Sequence, residues 1–105
     1  MSYAFDTYQN QAGMVRLPSA NTTYLFHGLP GEVGELCSLH AKSIRDGRKF
    51  DYDTNVKKEL GDVLWFVAML AADHGYTLSE IAEANILKLN KRKTEGVLQG
   101  SGDNR

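Results

Sequence analysis

The sequence is poor in the features that mark several common protein classes. It holds one cysteine, Cys37, in 105 residues, so there is no intrachain disulfide framework and a reducing, cytoplasmic setting is expected. Only two prolines occur, Pro18 and Pro30, both in the first third. Long apolar runs are missing: the most apolar stretch, Val63 to Ala72, is too short to span a bilayer, and no membrane partner is expected. The start, Met1 to Asp6, has neither the basic residues nor the apolar run of a secretory signal. Charge of one sign is not in excess either. A formal net charge of -1 gives no general field to draw in a polyanion, which argues against a nucleic-acid polymer as partner. We find no internal repeat, no low-complexity segment and no convincing strand.

What remains suits one globular domain spanning residues 1–105, with a hydrophobic fraction of 42%. The first 20 residues and the tail, residues 96–105, carry no evident role. A chain of this size buries roughly 60–68% of its unfolded surface, enough for a small core. Hydrophobic spacing predicts four helices. The first runs from about Phe5 to Val15. The second runs from about Asn21 to Arg45, with Gly28, Pro30 and Gly31 as a kink or a delayed start. Its expected buried face is Val33, Leu36, Leu39 or His40, and Ile44, and Asp46-Gly47 is its stop. The third follows Asp53-Thr54 and ends at His74 before Gly75, with Val56, Leu60, Val63, Val67 and Leu70 recurring at three- and four-residue spacing. A capping box, Thr77-Leu78-Ser79-Glu80, opens the fourth, which lasts to about Lys93. Short connections between the last helices favour an antiparallel helical bundle of about four helices, an all-α fold.

The chemistry is concentrated in two acidic pairs. Glu32 and Glu35 lie three apart on the second helix, Glu59 and Asp62 three apart on the third. Residues at i and i+3 share a helix face, so each pair projects two carboxylates one way. Both pairs sit among apolar residues: Leu29, Val33 and Leu36 around the first, Val56, Leu60, Val63 and Leu64 around the second. If the helices face each other, four like charges meet in a partly dry site, at a cost of several kcal/mol. A divalent cation is the simplest remedy, and oxygen-only ligands select a hard one, Mg²⁺ with Mn²⁺ as a substitute. The alternative is four solvated carboxylates on amphipathic helices.

Three segments carry a resemblance: Gly28 to Leu36 (GLPGEVGEL), Glu59 to Trp65 (ELGDVLW) and Asn85 to Arg92 (NILKLNKR). Together they resemble the MazG-like nucleotide pyrophosphohydrolases of the all-α NTP pyrophosphatase superfamily. The family's order is Glu-x-x-Glu, a variable spacer, then Glu-x-x-Asp; here the spacer, Leu36 to Lys58, is 23 residues. The resemblance implies that Glu32, Glu35, Glu59 and Asp62 bind Mg²⁺ and that Lys88 and Arg92 lie near a triphosphate. It also implies a homo-oligomer, dimer or tetramer, whose second copy completes the four-helix core. The expected reaction converts a nucleoside triphosphate, ribo- or deoxy-, into monophosphate and pyrophosphate, serving nucleotide-pool control. A modified nucleotide or a ppGpp-like alarmone is an alternative substrate, and a non-catalytic dimerisation module the rival from another class.

Within that reading Glu35 is the first candidate to orient or deprotonate the attacking water, with Glu32 next. Asn85, Lys88 and Arg92 share one face of the fourth helix and are candidates to grip phosphates. The opposite stripe, Leu78, Ile81, Ala82, Ile86 and Leu89, is expected to pack inward. A solvated basic helix end is the other reading of Lys88 and Arg92. Lys42, seven residues after Glu35, is a further phosphate candidate. Trp65 is a candidate base-stacking residue or a core residue, and Tyr24, Phe26 and His27 are alternative base contacts. Cys37 is expected to be small and buried.

Overall fold

The computed structural model describes residues 4–96, and their regular elements are four helices: α1 (Phe5–Met14), α2 (Thr22–Asp46), α3 (Tyr52–Asp73) and α4 (Leu78–Glu95). The Gly-Ser-Gly tail, 97–105, lies outside the described residues. Local chemistry accounts for most boundaries. Asn21 begins α2 by accepting the Tyr24 N–H on its side-chain oxygen. The capping box at α4 forms in both directions, Thr77 with the Glu80 N–H and Glu80 with the Thr77 N–H. Gly75, at φ +80°, turns the chain between α3 and α4.

Three expectations need correction. α2 does not start late: one helix runs through Gly28, Pro30 and Gly31. An interior glycine costs about 1 kcal/mol of helix propensity and a proline about 3, so tertiary packing rather than local preference keeps α2 continuous. α3 starts at Tyr52, ahead of Asp53-Thr54. The inward faces also differ. Val33, Ile44, Leu60, Ile81 and Ile86 are exposed, and so is Cys37.

The buried core is small and lies at one end. Ala12, Leu25, Phe66, Ala68, Met69, Ala71 and Leu78 form it, bringing together α1, the start of α2, the end of α3 and the start of α4. Gln9 is the polar centre of that junction. Its side-chain NH₂ donates to Ala68 O (3.0 Å) and Tyr76 O (3.1 Å), and its Oε1 accepts the Leu78 N–H (3.0 Å). Asp6 accepts the next one, from Ser79 N at 3.0 Å. The first helix thus satisfies donors at the start of α4 that no intrahelical partner reaches.

Beyond the core, α2 and α3 continue as an antiparallel pair whose register is set at Gly28. A Cβ built there would stand 2.5 Å from Cε2 and 2.9 Å from Cζ of Phe66. Phe66 cannot easily yield, since it is buried, edge-on to Trp65 and stacked with Tyr24. Glycine is therefore what lets the two helices come this close. Where the α1–α2 connection meets the end of α3, Arg16 binds Asp73 through two N–H groups at 2.7 and 2.9 Å, and Thr22 donates to the same carboxylate at 2.7 Å. These bonds, the Arg16 one foremost, hold the Asp73 carboxyl down at about 2.

Two predictions follow from this packing. Gly28→Ala gains helix propensity but overpacks Phe66, for a net loss of about 1–2 kcal/mol in urea unfolding; unchanged or higher stability would mean the helices have room to spare. Because the Asp73 carboxyl titrates lower in the folded chain than in the unfolded one, its contribution is complete above the ordinary carboxylate range and is lost as pH falls towards 2. Asp73→Asn should therefore cost about 1 kcal/mol at pH 6, after allowance for solvent screening, and almost nothing at pH 2.

Candidate functional site

The Gly28–Phe66 register decides what faces what further along the pair. One turn beyond Gly28 comes Glu32, and one turn before Phe66 comes Asp62; Glu35 and Glu59 follow one turn further out. Equal three-residue spacing on two antiparallel helices makes the acidic pairs meet. One carboxylate oxygen from each of Glu32, Glu59 and Asp62 lies within 4.8 Å of the others. Glu35 lies near enough to Glu32 and Glu59 for its charge to act on both.

The electrostatics of the cluster are unfavourable as they stand. Glu32 and Glu59 are half-buried, and Oε2 of each is buried without a hydrogen-bond partner. Desolvation is the first cause that pushes the carboxyls of both upward, and charge repulsion adds to it, from Glu35, Asp62 and Glu59 on Glu32, and from Glu35 and Asp62 on Glu59. Among the described residues, the charges that push these two groups upward are other carboxylates. Orphaned buried acceptors in an all-oxygen donor set fit a hard divalent cation, which would satisfy the lone pairs and cancel the repulsion together.

Glu35 is exposed and, with Glu59, lines an open groove of 530 Å³. Gly31, Gly34, Ser38, Leu39 and Lys42 complete its walls. Lys42 thus shares the groove with Glu35 and Glu59. The α4 residues do not: α4 packs on α1 and α3, and among the described residues it makes no close approach to α2. On it Asn85 is exposed, Lys88 half-buried and Arg92 buried at 5% exposure. Trp65 is half-buried against the core, and its indole N–H donates to Ala12 O at 3.2 Å. Tyr24 stacks on Phe66, and Phe26 packs edge-on against His74.

Sequence reasoning passed over Ser38, Tyr52 and Asn55. Ser38 lies three residues after Glu35 and Asn55 four before Glu59, so extending the acidic faces by one turn would have found both. Tyr52 lies a further turn back and joins Asn55 in a second cavity, of 210 Å³, that meets the groove at Leu39 and Lys42.

Comparisons with known proteins identify the family. Residues 20–97 match the model of the MazG nucleotide pyrophosphohydrolase domain, a span that contains both acidic pairs and α4. The chain is also 43% identical over 86 residues to the Gene 37 protein of Mycobacterium phage L5, an alignment covering 79% of this chain and 75% of the phage protein. No solved structure matches it. With the match reaching over most of its length and taking in every carboxylate of the cluster, the chain belongs to the MazG nucleotide pyrophosphohydrolase domain family.

Proposed function

We propose that the chain is a single-domain, Mg²⁺-dependent nucleoside triphosphate pyrophosphohydrolase that releases pyrophosphate from a ribo- or deoxynucleoside triphosphate. The observation that carries this reading is the cluster itself: four carboxylates on two helices, with Glu32 Oε2 and Glu59 Oε2 buried and unpartnered. Mg²⁺, or Mn²⁺ in its place, held by Glu32, Glu35, Glu59 and Asp62, supplies positive charge to the polyphosphate oxygens.

The chain's own groups do the rest. Glu35, the exposed carboxylate on the groove, orients a water and takes its proton. The water oxygen bonds to the α-phosphorus, and the bond from that phosphorus to the α,β-bridging oxygen breaks. Pyrophosphate leaves, and the proton on Glu35 passes to solvent. Lys42, on the groove wall, offsets charge on the polyphosphate. Asn85 and Lys88 serve phosphates from α4. Since α4 does not reach α2 within one copy, this fits a homo-oligomer in which a second copy brings its α4 to the groove. Exposed Leu60, Leu64, Ile86 and Leu87 supply apolar surface for that contact. The product monophosphate and loss of the triphosphate make pool control the simplest role.

Two outcomes test the reading. Glu35→Ala should lower turnover by about 10²–10⁴-fold with helicity and melting temperature retained; near-normal activity would end the assignment of Glu35. In differential scanning fluorimetry at pH 7.5, Mg²⁺ at a large excess over its Kd should raise the melting temperature by roughly 5–10 °C. Glu59→Gln should remove that increment and, by relieving the repulsion, melt higher than the wild type without metal. A wild type indifferent to both Mg²⁺ and EDTA would contradict the metal site.

A further inference from the structure

The 210 Å³ cavity at the α2–α3 turn has no part in the hydrolytic chemistry above, yet it opens from the same groove. Leu39 and Lys42 line both. Lys42 stands seven residues beyond Glu35, about 10 Å along the helix at ~1.5 Å per residue. Asn55 and Tyr52 stand four and seven residues before Glu59 on the facing helix. A nucleotide with its α-phosphorus at the carboxylates would span this gap with its ribose and set its base in the cavity. We propose that this cavity is the base subsite of the enzyme, holding a neutral planar ring against Tyr52 with its polar edge towards Asn55 and Ser43. The proposal rests on the pyrophosphohydrolase reading and adds to it the place of base selection.

Three observations carry it. The first is size: the cavity is too small for a whole nucleotide, whose sites begin at about 300 Å³, but adequate for one ring. The second is a prepared aromatic wall. The Tyr52 hydroxyl is held by His40 Nδ1 at 2.8 Å, and the Arg48 guanidinium lies 4.2 Å from its ring centroid. A ring fixed at two points loses little freedom when a base stacks on it. The third is charge. Asp46 and Asp51 line the same wall as Lys42 and Lys49. Both lysines act on Asp46, whose carboxyl lies below its usual range mainly through its bond to Arg45. Two carboxylates on that wall disfavour further phosphates in the cavity, while Asn55 and Ser43 offer donors and acceptors to a base edge.

The test is the ranking of kcat/KM across the four common bases in the full-length protein with Mg²⁺, compared with inhibition by inorganic tripolyphosphate, which has no base. Tyr52→Ala should lower kcat/KM for the preferred triphosphate by about tenfold and flatten the ranking, leaving tripolyphosphate inhibition as in the wild type. Tyr52→Phe, which keeps the ring, should retain the ranking. Asn55→Leu reads the same outcome if the alanine variant does not fold. An active wild type whose ranking survives in both Tyr52→Ala and Asn55→Leu overturns the subsite alone. Weaker tripolyphosphate inhibition with an unchanged ranking also overturns it, by showing that the cavity holds phosphate. A wild type releasing pyrophosphate from no triphosphate overturns the enzymatic reading, and the subsite with it.

Discussion

The close approach of α2 and α3 at Gly28 governs most of what the molecule presents. With no side chain at that position, the Phe66 ring sits against the α2 backbone, and the antiparallel register is settled one turn before the first acidic residue. Every later pairing follows by helical repetition: Glu32 opposite Asp62, Glu35 opposite Glu59, Leu39 and Asn55 on one cavity wall. Side chains repeat every three to four residues on both helices, so a slip of one residue would turn a carboxylate out of the cluster. The core lies behind this contact and the groove beyond it. The apolar packing that stabilises the fold therefore also aligns the charges that oppose it.

That opposition has a cost. Glu32 and Glu59 hold buried oxygens without partners, and desolvation and repulsion together raise both carboxyls. A fold with seven buried apolar residues among the described ones has little stability to spare against several kcal/mol of electrostatic strain. The anchoring of α1 offsets part of it at the far end: Gln9 makes three hydrogen bonds to the ends of α3 and α4, and the Arg16–Asp73 pair ties the α1–α2 connection to α3. The proposed cation would remove the strain where it arises, and a second copy would cover the apolar positions that α4 leaves open.

The sequence was most legible where one signal decides an element. The Thr77–Glu80 capping box and Gly75 after α3 both read correctly, because each depends on neighbours within one turn. Burial was harder. The stripes of Val33, Ile44, Leu60, Ile81 and Ile86 had the right periodicity, yet these residues are exposed. Periodicity shows that a helix has an apolar face but not which partner covers it. The span of α2 through Pro30 read correctly, although propensity argues against it and packing on α3 has to override that argument. Gln9 and Asp6 gave no signal, because their partners lie some seventy residues away. The family motif located the carboxylates but did not point to Tyr52 or Asn55, whose place beside the groove comes from the register.

The central claim, that this cluster directs water to the α-phosphorus, is tested most directly by turnover in H₂¹⁸O. The full-length protein would be given a nucleoside triphosphate and Mg²⁺, and the products analysed by mass spectrometry. Attack at the α-phosphorus predicts one ¹⁸O in the nucleoside monophosphate and none in the pyrophosphate. Label in pyrophosphate, release of inorganic phosphate in its place, or turnover that persists in EDTA would contradict the account.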